Sequence, residues 1–305
     1  MANLAPVIED RRTFGIGVLL LAQFFFAGLD SCAKWLAISA IPTFEIVFIR
    51  YAVHVALAIA MFLPVRGFDL FRTGSWKLEL ARGVCLLGIT FFNFFAMQFL
   101  PLTVTGAIFF TMPLFVTLLS GPMLGETVGW RRWVAVIVGF LGVMIIIRPG
   151  TEAFHPAALL CFVGALCAAL FSIFTRKLAG IDGAATQQVY SGVFCLVIVT
   201  PFAFTDWVWP SNGPTWFAFL AAGIFGFLAH QLNTVALRYA SPVILAPFSY
   251  SELILLAFSS WLVFGQPPDV GFYIGGPLII LSGLYIWLRE QQLHRPVSLR
   301  TPVDD

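Results

Sequence analysis

Residues 14–37 read FGIGVLLLAQFFFAGLDSCAKWLA, an apolar run that exceeds the about 20 residues a helix needs to cross a bilayer. Nine further runs of similar length follow, at 44–63, 79–99, 102–123, 130–147, 156–178, 186–204, 214–237, 243–264 and 270–289. None alternates apolar with polar residues as the strands of a membrane barrel do. Helix is then the structure that satisfies every backbone group in lipid.

The composition extends this prediction to the whole chain. Of the 305 residues, 60% are apolar and 10% are charged, whereas a soluble domain carries about 25% charged residues. A soluble core could not bury so much apolar surface. We therefore predict an all-α membrane protein of ten transmembrane helices that is embedded in the lipid bilayer. Its basic residues form no clustered face, which argues against a nucleic-acid partner.

The positions of the 17 Lys and Arg residues predict the orientation of these helices. With the N-terminus in the cytoplasm, 14 of the 17 belong to inner segments, two belong to outer segments, and Arg50 lies inside a span. The reverse orientation inverts this ratio. Residues 1–13 and 290–305 are therefore predicted to be cytoplasmic tails of a multi-pass protein of the inner (plasma) membrane.

The chain resembles itself at a separation of 140 residues. The sequence at 93–96, NFFA, aligns with NTVA at 233–236, and LGE at 124–126 aligns with FGQ at 264–266. A duplicated unit of five spans enters the membrane from the opposite side in its second copy. Such inverted repeats are typical of secondary transporters, which bind their substrate near the bilayer midplane between the halves.

Short motifs occur in both halves of the chain. In the first half they are FIRY at 48–51, PL at 101–102, TMPLF at 111–115, LGE at 124–126 and RPG at 148–150. In the second half they are YSEL at 250–253, FG at 264–265, PD at 268–269 and RE at 289–290. Together they resemble the EamA domain, which is the repeat unit of the drug/metabolite transporter superfamily. The second half departs from the pattern at Gln266, where the family often has Glu.

This resemblance implies ten helices in two inverted EamA repeats, at 14–149 (helices 1–5) and 156–289 (helices 6–10). It also implies alternating access and small metabolites as substrates. Members of the superfamily carry amino acids, riboflavin, S-adenosylmethionine and nucleotide sugars, so the resemblance predicts the fold better than the substrate.

Four polar residues in the first two spans are candidates for the walls of a substrate cavity. Asp30 and Lys34 are four residues apart and can form an ion pair, which is either structural or meets a zwitterionic substrate. Arg50 and His54 have the same spacing on helix 2. The guanidinium of Arg50 either bonds backbone carbonyls of a neighbouring helix or receives a substrate carboxylate.

The second half adds further polar candidates. Glu252 has no basic residue at i±3 or i±4, so it is predicted to be a substrate site, a proton site or a structural hydrogen-bonding group. Tyr250 is adjacent to it. His230 and Asn233 share a face of helix 8, as ligands or as satisfied core residues, and Asn93 is the aligned partner of Asn233.

Two prolines, Pro113 and Pro247, interrupt the hydrogen-bond ladder of helices 4 and 9 and are hinge candidates. The five cysteines lie in apolar runs without metal-ligand spacing, and we expect neither a metal nor a cofactor. No phosphate-binding GxxxxGK[ST] loop, HExxH or GxSxG motif occurs, so we expect neither an ATP-driven pump nor an enzyme.

The sequence therefore predicts a secondary transporter, with a channel or receptor as the less favoured class. The few charges at membrane depth favour a near-neutral or zwitterionic metabolite such as an amino acid, since a phosphorylated substrate usually needs several converging Lys or Arg residues. The alternative is an importer of a vitamin or nucleoside-like metabolite such as riboflavin or S-adenosylmethionine. Direction, proton coupling and the choice between monomer and homodimer are left open.

Overall fold

The computed structural model describes residues 12–124, 129–151, 154–178, 181–239, 245 and 248–293. These residues form α-helices without strands, which confirms the all-α fold class for this part of the chain. The helices are α1 Arg12–Ile38, α2 Thr43–Arg66, α3 Trp76–Ala96, α4 Leu102–Phe109, α5 Met112–Leu124, α6 Trp130–Ile147, α7 Ala158–Leu178, α8 Ala184–Ala203, α9 Gly213–Tyr239, α10 Ser251–Leu262 and α11 Val270–Leu293. A 3-10 turn, Gly67–Phe71, follows α2.

Six helices in the described ranges are long and apolar enough to cross a membrane: α1, α2, α3, α7, α8 and α9. Shorter apolar helices cover Leu102–Val116, Trp133–Ile147, Ser251–Leu262 and Val270–Ile286. Each of them overlaps one of the apolar runs that the sequence predicted. The number of spans and the side of the termini remain predictions.

The predicted span 102–123 consists of two helices, because the backbone leaves the helical path at Phe110 and Thr111. Pro113 has no N–H to donate, so it cannot continue the hydrogen-bond ladder of a preceding helix. It therefore occupies the first turn of α5, where the carbonyl of Thr111 accepts the N–H of Leu114 at 2.9 Å. Pro113 is thus the second residue of α5.

The predicted span 243–264 contains α10 in its second part. The other hinge candidate, Pro247, lies outside the described residues. Whether either proline moves during transport stays a prediction.

The helices pack in pairs that join the two halves of the chain. Helix α1 packs on α9 and α3 packs on α7; α2 lies against α8 and α9, and α6 against α11. In the order of the chain, α1 corresponds to α7, α2 to α8, α3 to α9 and α6 to α11. When each helix is exchanged for its counterpart, the pair α1–α9 becomes the pair α7–α3, and the pairs α2–α8 and α6–α11 stay the same. The strongest helix contacts of the described residues are therefore symmetric between the two halves of the chain.

Helices α6 and α11 approach each other closely through glycines. A Cβ atom on Gly142 would lie 2.8 Å from the carbonyl oxygen of Gly275, and one on Gly271 would lie 2.8 Å from that of Ile145. Small residues allow this approach of two backbones in membrane helices. Gly271 and Gly275 therefore belong to the surface through which α11 packs on α6.

Candidate functional site

A cavity of about 550 Å³ lies between the two halves of the helix bundle. Binding sites for small molecules usually have volumes of about 300–1,000 Å³. The side chains around this central cavity come from nine helices and the segments that join them: Gln23, Phe26, Leu29, Asp30, Arg50, Leu86, Ile89, Thr90, Asn93, Phe94, Gly106, Phe109, Phe110, Met112, Pro113, Val116, Ala168, Phe171, His230, Asn233, Ser249, Tyr250, Glu252, Leu256, Gly283 and Ile286.

Aromatic side chains form much of the cavity wall. The rings of Phe110 and Tyr250 stack with their centroids 5.2 Å apart and an angle of 29° between their planes. The ring of Phe26 meets the imidazole of His230 edge to face at 5.1 Å. Such surfaces suit the flat face of a heteroaromatic ligand, because offset stacking adds to the energy of burial.

Arg50 is the cation of the cavity wall in the described part of the chain. It is 3% exposed, and its Nη2 lies 3.5 Å from Nε2 of His230. Its Nε and Nη1 atoms have no hydrogen-bond partner among the described residues. The guanidinium carbon lies 4.5 Å from the ring centre of Tyr51, whose hydroxyl is hydrogen-bonded to Thr90 at 2.7 Å. The guanidinium is thus held in place with donors to spare.

Two carboxylates face the same cavity. Asp30 lies beside the side chain of Asn93 and close enough to Arg50 for their charges to interact. Glu252 lies close enough to Asp30 for the two acids to repel each other. Neither acid forms an ion pair within 4 Å in the described residues. The cavity wall therefore has two carboxyl groups and one guanidinium group.

Further polar atoms in the wall also lack partners. The side-chain oxygens of Gln23 and Asn93 are buried without a hydrogen bond in the described part of the chain. An unpaired buried polar atom costs about 1–3 kcal/mol. These acceptors, together with the spare donors of Arg50, are what a polar ligand would satisfy.

Lys34 does not belong to the cavity, and the expected Asp30–Lys34 ion pair is not formed. Its ammonium group donates to the carbonyl oxygens of Met97 at 2.6 Å and Leu100 at 2.8 Å. Met97 is the C-cap residue that follows α3, where carbonyls are left without helical partners. Spacing within α1 could not reveal this contact, because the acceptors are 63 and 66 residues away.

His54 lies behind the cavity wall. It is 4% exposed, and its ring centre is 5.6 Å from that of Phe227 and 6.1 Å from that of His230. The other candidates from the sequence, namely Asp30, Arg50, Asn93, His230, Asn233, Tyr250 and Glu252, all line the cavity.

Sequence analysis missed several cavity residues that the internal repeat could have located. At the 140-residue separation, Thr90 corresponds to His230, Phe110 to Tyr250, Met112 to Glu252, and Val116 to Leu256. Both members of each of these pairs line the cavity. These corresponding positions of the two halves therefore meet around the cavity, while its charged groups have uncharged counterparts.

Arg82 also has a different environment from the one expected. It was counted among the inner-segment cations, but it is 7% exposed within α3. It donates to Thr175 Oγ1 at 2.8 Å, to the carbonyl of Gln187 at 2.7 Å and to Ser191 Oγ at 2.6 Å. Its guanidinium covers the ring of Phe171, a cavity residue, at 4.3 Å. Arg82 thus ties α3 to α7 and α8.

Contacts between the two halves close the bundle at the end where α1 stops and α2 begins, here called the α1–α2 end. The hydroxyls of Ser31 and Ser259 lie 2.6 Å apart, and Trp35 Nε1 donates to Thr215 Oγ1 at 3.2 Å. Glu45 accepts the N–H of Val208 at 2.9 Å. In α1 the cavity wall ends at Asp30, so these contacts begin directly beside the cavity.

Comparison with known sequences gives one consistent family. The sequence model of the EamA-like transporter family matches residues 13–148 and 155–288. A riboflavin transporter of Vibrio cholerae is 30% identical over 91% of this chain and 94% of its own length. An S-adenosylmethionine uptake transporter of Rickettsia felis is 27% identical over the same shares of the two chains.

Comparison with solved structures gives the same fold. A crystal structure of another protein matches with a TM-score of 0.65 and covers 91% of this chain and 99% of that one. The two sequences are 21% identical, so this match establishes a common fold and no common substrate.

Proposed function

The chain belongs to the EamA-like transporter family, and we propose that it imports a positively charged, nucleoside-like metabolite such as S-adenosylmethionine through the central cavity. The names of its relatives do not support the amino-acid substrate that the sequence favoured; they fit the alternative, a vitamin or nucleoside-like cargo. Transport is by alternating access of the two repeats around the cavity.

The proposed topology has ten spans in two repeats, 14–149 and 156–289, with both termini in the cytoplasm of a bacterial cell and the spans in its inner membrane. Six long and four shorter apolar helices support the span count. The exchange symmetry of the helix pairs supports the two repeats. The distribution of basic residues supports the orientation.

The charge of the cavity is the observation that carries this proposal. S-adenosylmethionine has a flat adenine ring, one carboxylate, and two cationic groups, an ammonium and a sulfonium. The cavity offers aromatic surfaces, one guanidinium with spare donors, and the carboxylates Asp30 and Glu252. In this assignment the two acids lie opposite the two cationic groups of the cargo, and Arg50 lies opposite its carboxylate. The attraction between opposite charges is stronger in a cavity than in water. Arg50 is assigned to the carboxylate of the cargo.

Riboflavin is the second candidate, favoured by the 30% identity to a riboflavin transporter. Its three-ring flavin suits the aromatic wall, and its polar edge could bond the spare oxygens of Gln23 and Asn93. It is uncharged at neutral pH, however, and supplies no charged group to match Arg50, Asp30 or Glu252. Burial of unpaired charge is costly, which is why it ranks second.

Uptake by the purified protein in liposomes tests the proposal. Radiolabelled S-adenosylmethionine, riboflavin and leucine are each offered to the wild type and to liposomes without protein. We expect saturable uptake of S-adenosylmethionine, and leucine uptake no greater than that of empty liposomes. Saturable uptake of riboflavin alone would support the second candidate. Uptake of leucine alone would support the amino-acid substrate that the sequence favoured.

Charge variants assign that uptake to the cavity. We expect Asp30→Asn to raise the KM for S-adenosylmethionine by about tenfold, which corresponds to about 1.4 kcal/mol. The matched control is Asp206→Asn, which changes an exposed acid outside the cavity. Equal KM values for both variants would show that Asp30 does not bind the cargo.

A further inference from the structure

Gly283 of α11 leaves a space that a side chain of the cavity fills. A Cβ atom at position 283 would overlap the hydroxyl oxygen and the Cζ atom of Tyr250 and lie 3.1 Å from its Cε2. The atoms in this space belong to a side chain and not to the backbone of another helix. Any larger residue at position 283 must therefore push the Tyr250 ring out of its present position.

Tyr250 is fixed at both of its ends. The flat face of its ring stacks on Phe110, and the side chain is 9% exposed. Its hydroxyl forms no hydrogen bond with any residue that the structure describes, so what holds this end is the shape of the space beside Gly283. Phe110 comes from the first half of the chain and Tyr250 from the second, and both line the central cavity.

The other glycines of α11 have different surroundings. Gly275 faces the backbone of Gly142 and serves helix packing, whereas a Cβ atom on Gly276 would meet no atom within 4 Å. Gly283 is thus the glycine of this helix, within the described residues, whose missing side chain makes room for a cavity residue.

The internal repeat gives a second, independent indication. At the 140-residue separation, Tyr250 corresponds to Phe110 and Gly283 corresponds to Val143. Val143 is fully buried in the apolar cluster on which Phe110 packs. The second half, in which the ring belongs to tyrosine, therefore has glycine at this position. The first half, in which the ring belongs to phenylalanine, has the larger valine.

From this geometry we infer that Gly283 is a positioning residue of the transport site, since it sets the place of the Tyr250 ring in the cavity wall. The inference rests on the proposed function in one respect, namely that the cargo binds in the central cavity. Gly283 itself acts through Tyr250. The stacked pair of Phe110 and Tyr250 then presents a preformed surface for the flat ring of the cargo.

Alanine at position 283, tested in three backgrounds, separates this role from simple packing. We expect Gly283→Ala to raise the KM for S-adenosylmethionine, and for riboflavin if it is carried, by about tenfold while kcat changes less than about twofold. In the Tyr250→Leu background, which has no ring at this position, the same alanine should leave KM unchanged. In the Tyr250→Phe background, which lacks only the hydroxyl, the alanine should raise KM by an intermediate factor. Gly276→Ala is the matched control and should resemble the wild type.

Several results would overturn the inference. Wild-type KM for Gly283→Ala contradicts it, as does an equal rise of KM in the wild-type and Tyr250→Leu backgrounds, because independent sites show additive effects. If Gly283→Ala does not fold, the inference requires that the double variant with Tyr250→Leu folds and transports like Tyr250→Leu alone. Wild-type protein that carries neither compound would refute the proposed function instead, which is a different result from any of these.

Discussion

At the scale of single residues, Arg50 and Lys34 show how two buried cations acquire different roles. Both lie within helices that are long enough to span a membrane, where an unpaired charge is costly. Lys34 is satisfied by two carbonyls at the end of α3, so it fastens one helix to another. Arg50 keeps two donor atoms without a hydrogen-bond partner among the described residues, beside a cavity, and this is the arrangement of a binding residue.

The first prediction concerns the shape of the Arg50 group. Arg50→Lys keeps the positive charge but loses the planar fork that binds a carboxylate at two points. We expect the KM for S-adenosylmethionine to rise by about tenfold, with riboflavin uptake, where present, affected less. Kinetics in liposomes measure this, with Arg72→Lys, a change in an exposed ion pair, as control. Normal KM values for both Arg50→Lys and Arg50→Ala would show that Arg50 has a structural role and does not bind the cargo.

The second prediction concerns Lys34. Lys34→Met keeps the length of the side chain but leaves the carbonyls of Met97 and Leu100 without this donor, at a cost of about 1–3 kcal/mol. The melting temperature of the purified protein should fall by several degrees while the KM for cargo stays unchanged. Lys77→Met, an exposed cation on α3, is the control. A changed KM with unchanged stability would place Lys34 in the transport site after all.

At the scale of helices, the contact between α1 and α10 joins the two halves at the α1–α2 end. Ser31 and Ser259 meet there directly beside the cavity wall. Alternating access requires the halves to separate at one end and then at the other. The contact should therefore break once in every transport cycle.

Cross-linking tests this third prediction. In a chain without its native cysteines, Ser31→Cys with Ser259→Cys should form a disulfide on mild oxidation, because the two hydroxyl oxygens are 2.6 Å apart. The cross-link should abolish uptake, and a reducing agent should restore it. Each single cysteine variant serves as control. Uptake at the normal rate by fully cross-linked protein would show that this end stays closed during transport.

At the scale of the whole molecule, the fold was more predictable than the contacts within it. Long apolar runs specify helices because lipid leaves the backbone no other partners, and the described helices follow those runs. The sequence analysis treated 102–123 as one span, whereas the structure has two helices there that are separated at Phe110 and Thr111, close to Pro113. The bonds of Lys34 and Arg82 were missed because they join helices that are distant in sequence, and single-sequence patterns carry no such information.

The candidate site was predicted in part for a related reason. Polar residues at membrane depth are few, and the sequence analysis therefore identified Asp30, Arg50 and Glu252 as candidates. All three line the cavity. Phe110 and Gly283 could not be singled out, since the chain has 33 phenylalanines and 26 glycines. Only their packing distinguishes them.

The orientation of the molecule gives the fourth prediction. In the chain without native cysteines, Ser211→Cys should react from outside the cell with an impermeant thiol reagent, and Ser298→Cys should not. Ser211 is exposed before α9, and its neighbour Asn212 is left intact because it caps that helix through Thr215. Labelling of Ser298→Cys in intact cells would contradict the cytoplasmic C-terminus.

Affinity for a matched pair of ligands tests the central claim most directly. S-adenosylhomocysteine differs from S-adenosylmethionine by one methyl group and hence by the sulfonium charge. Titration calorimetry of the purified wild type should give a Kd for S-adenosylmethionine that is at least about tenfold lower than the Kd for S-adenosylhomocysteine. In the double variant Asp30→Asn with Glu252→Gln, the ratio of the two Kd values should fall towards one. Equal affinity of the wild type for both ligands, or an unchanged ratio in the variant, would contradict the assignment of these two acids to a cationic cargo.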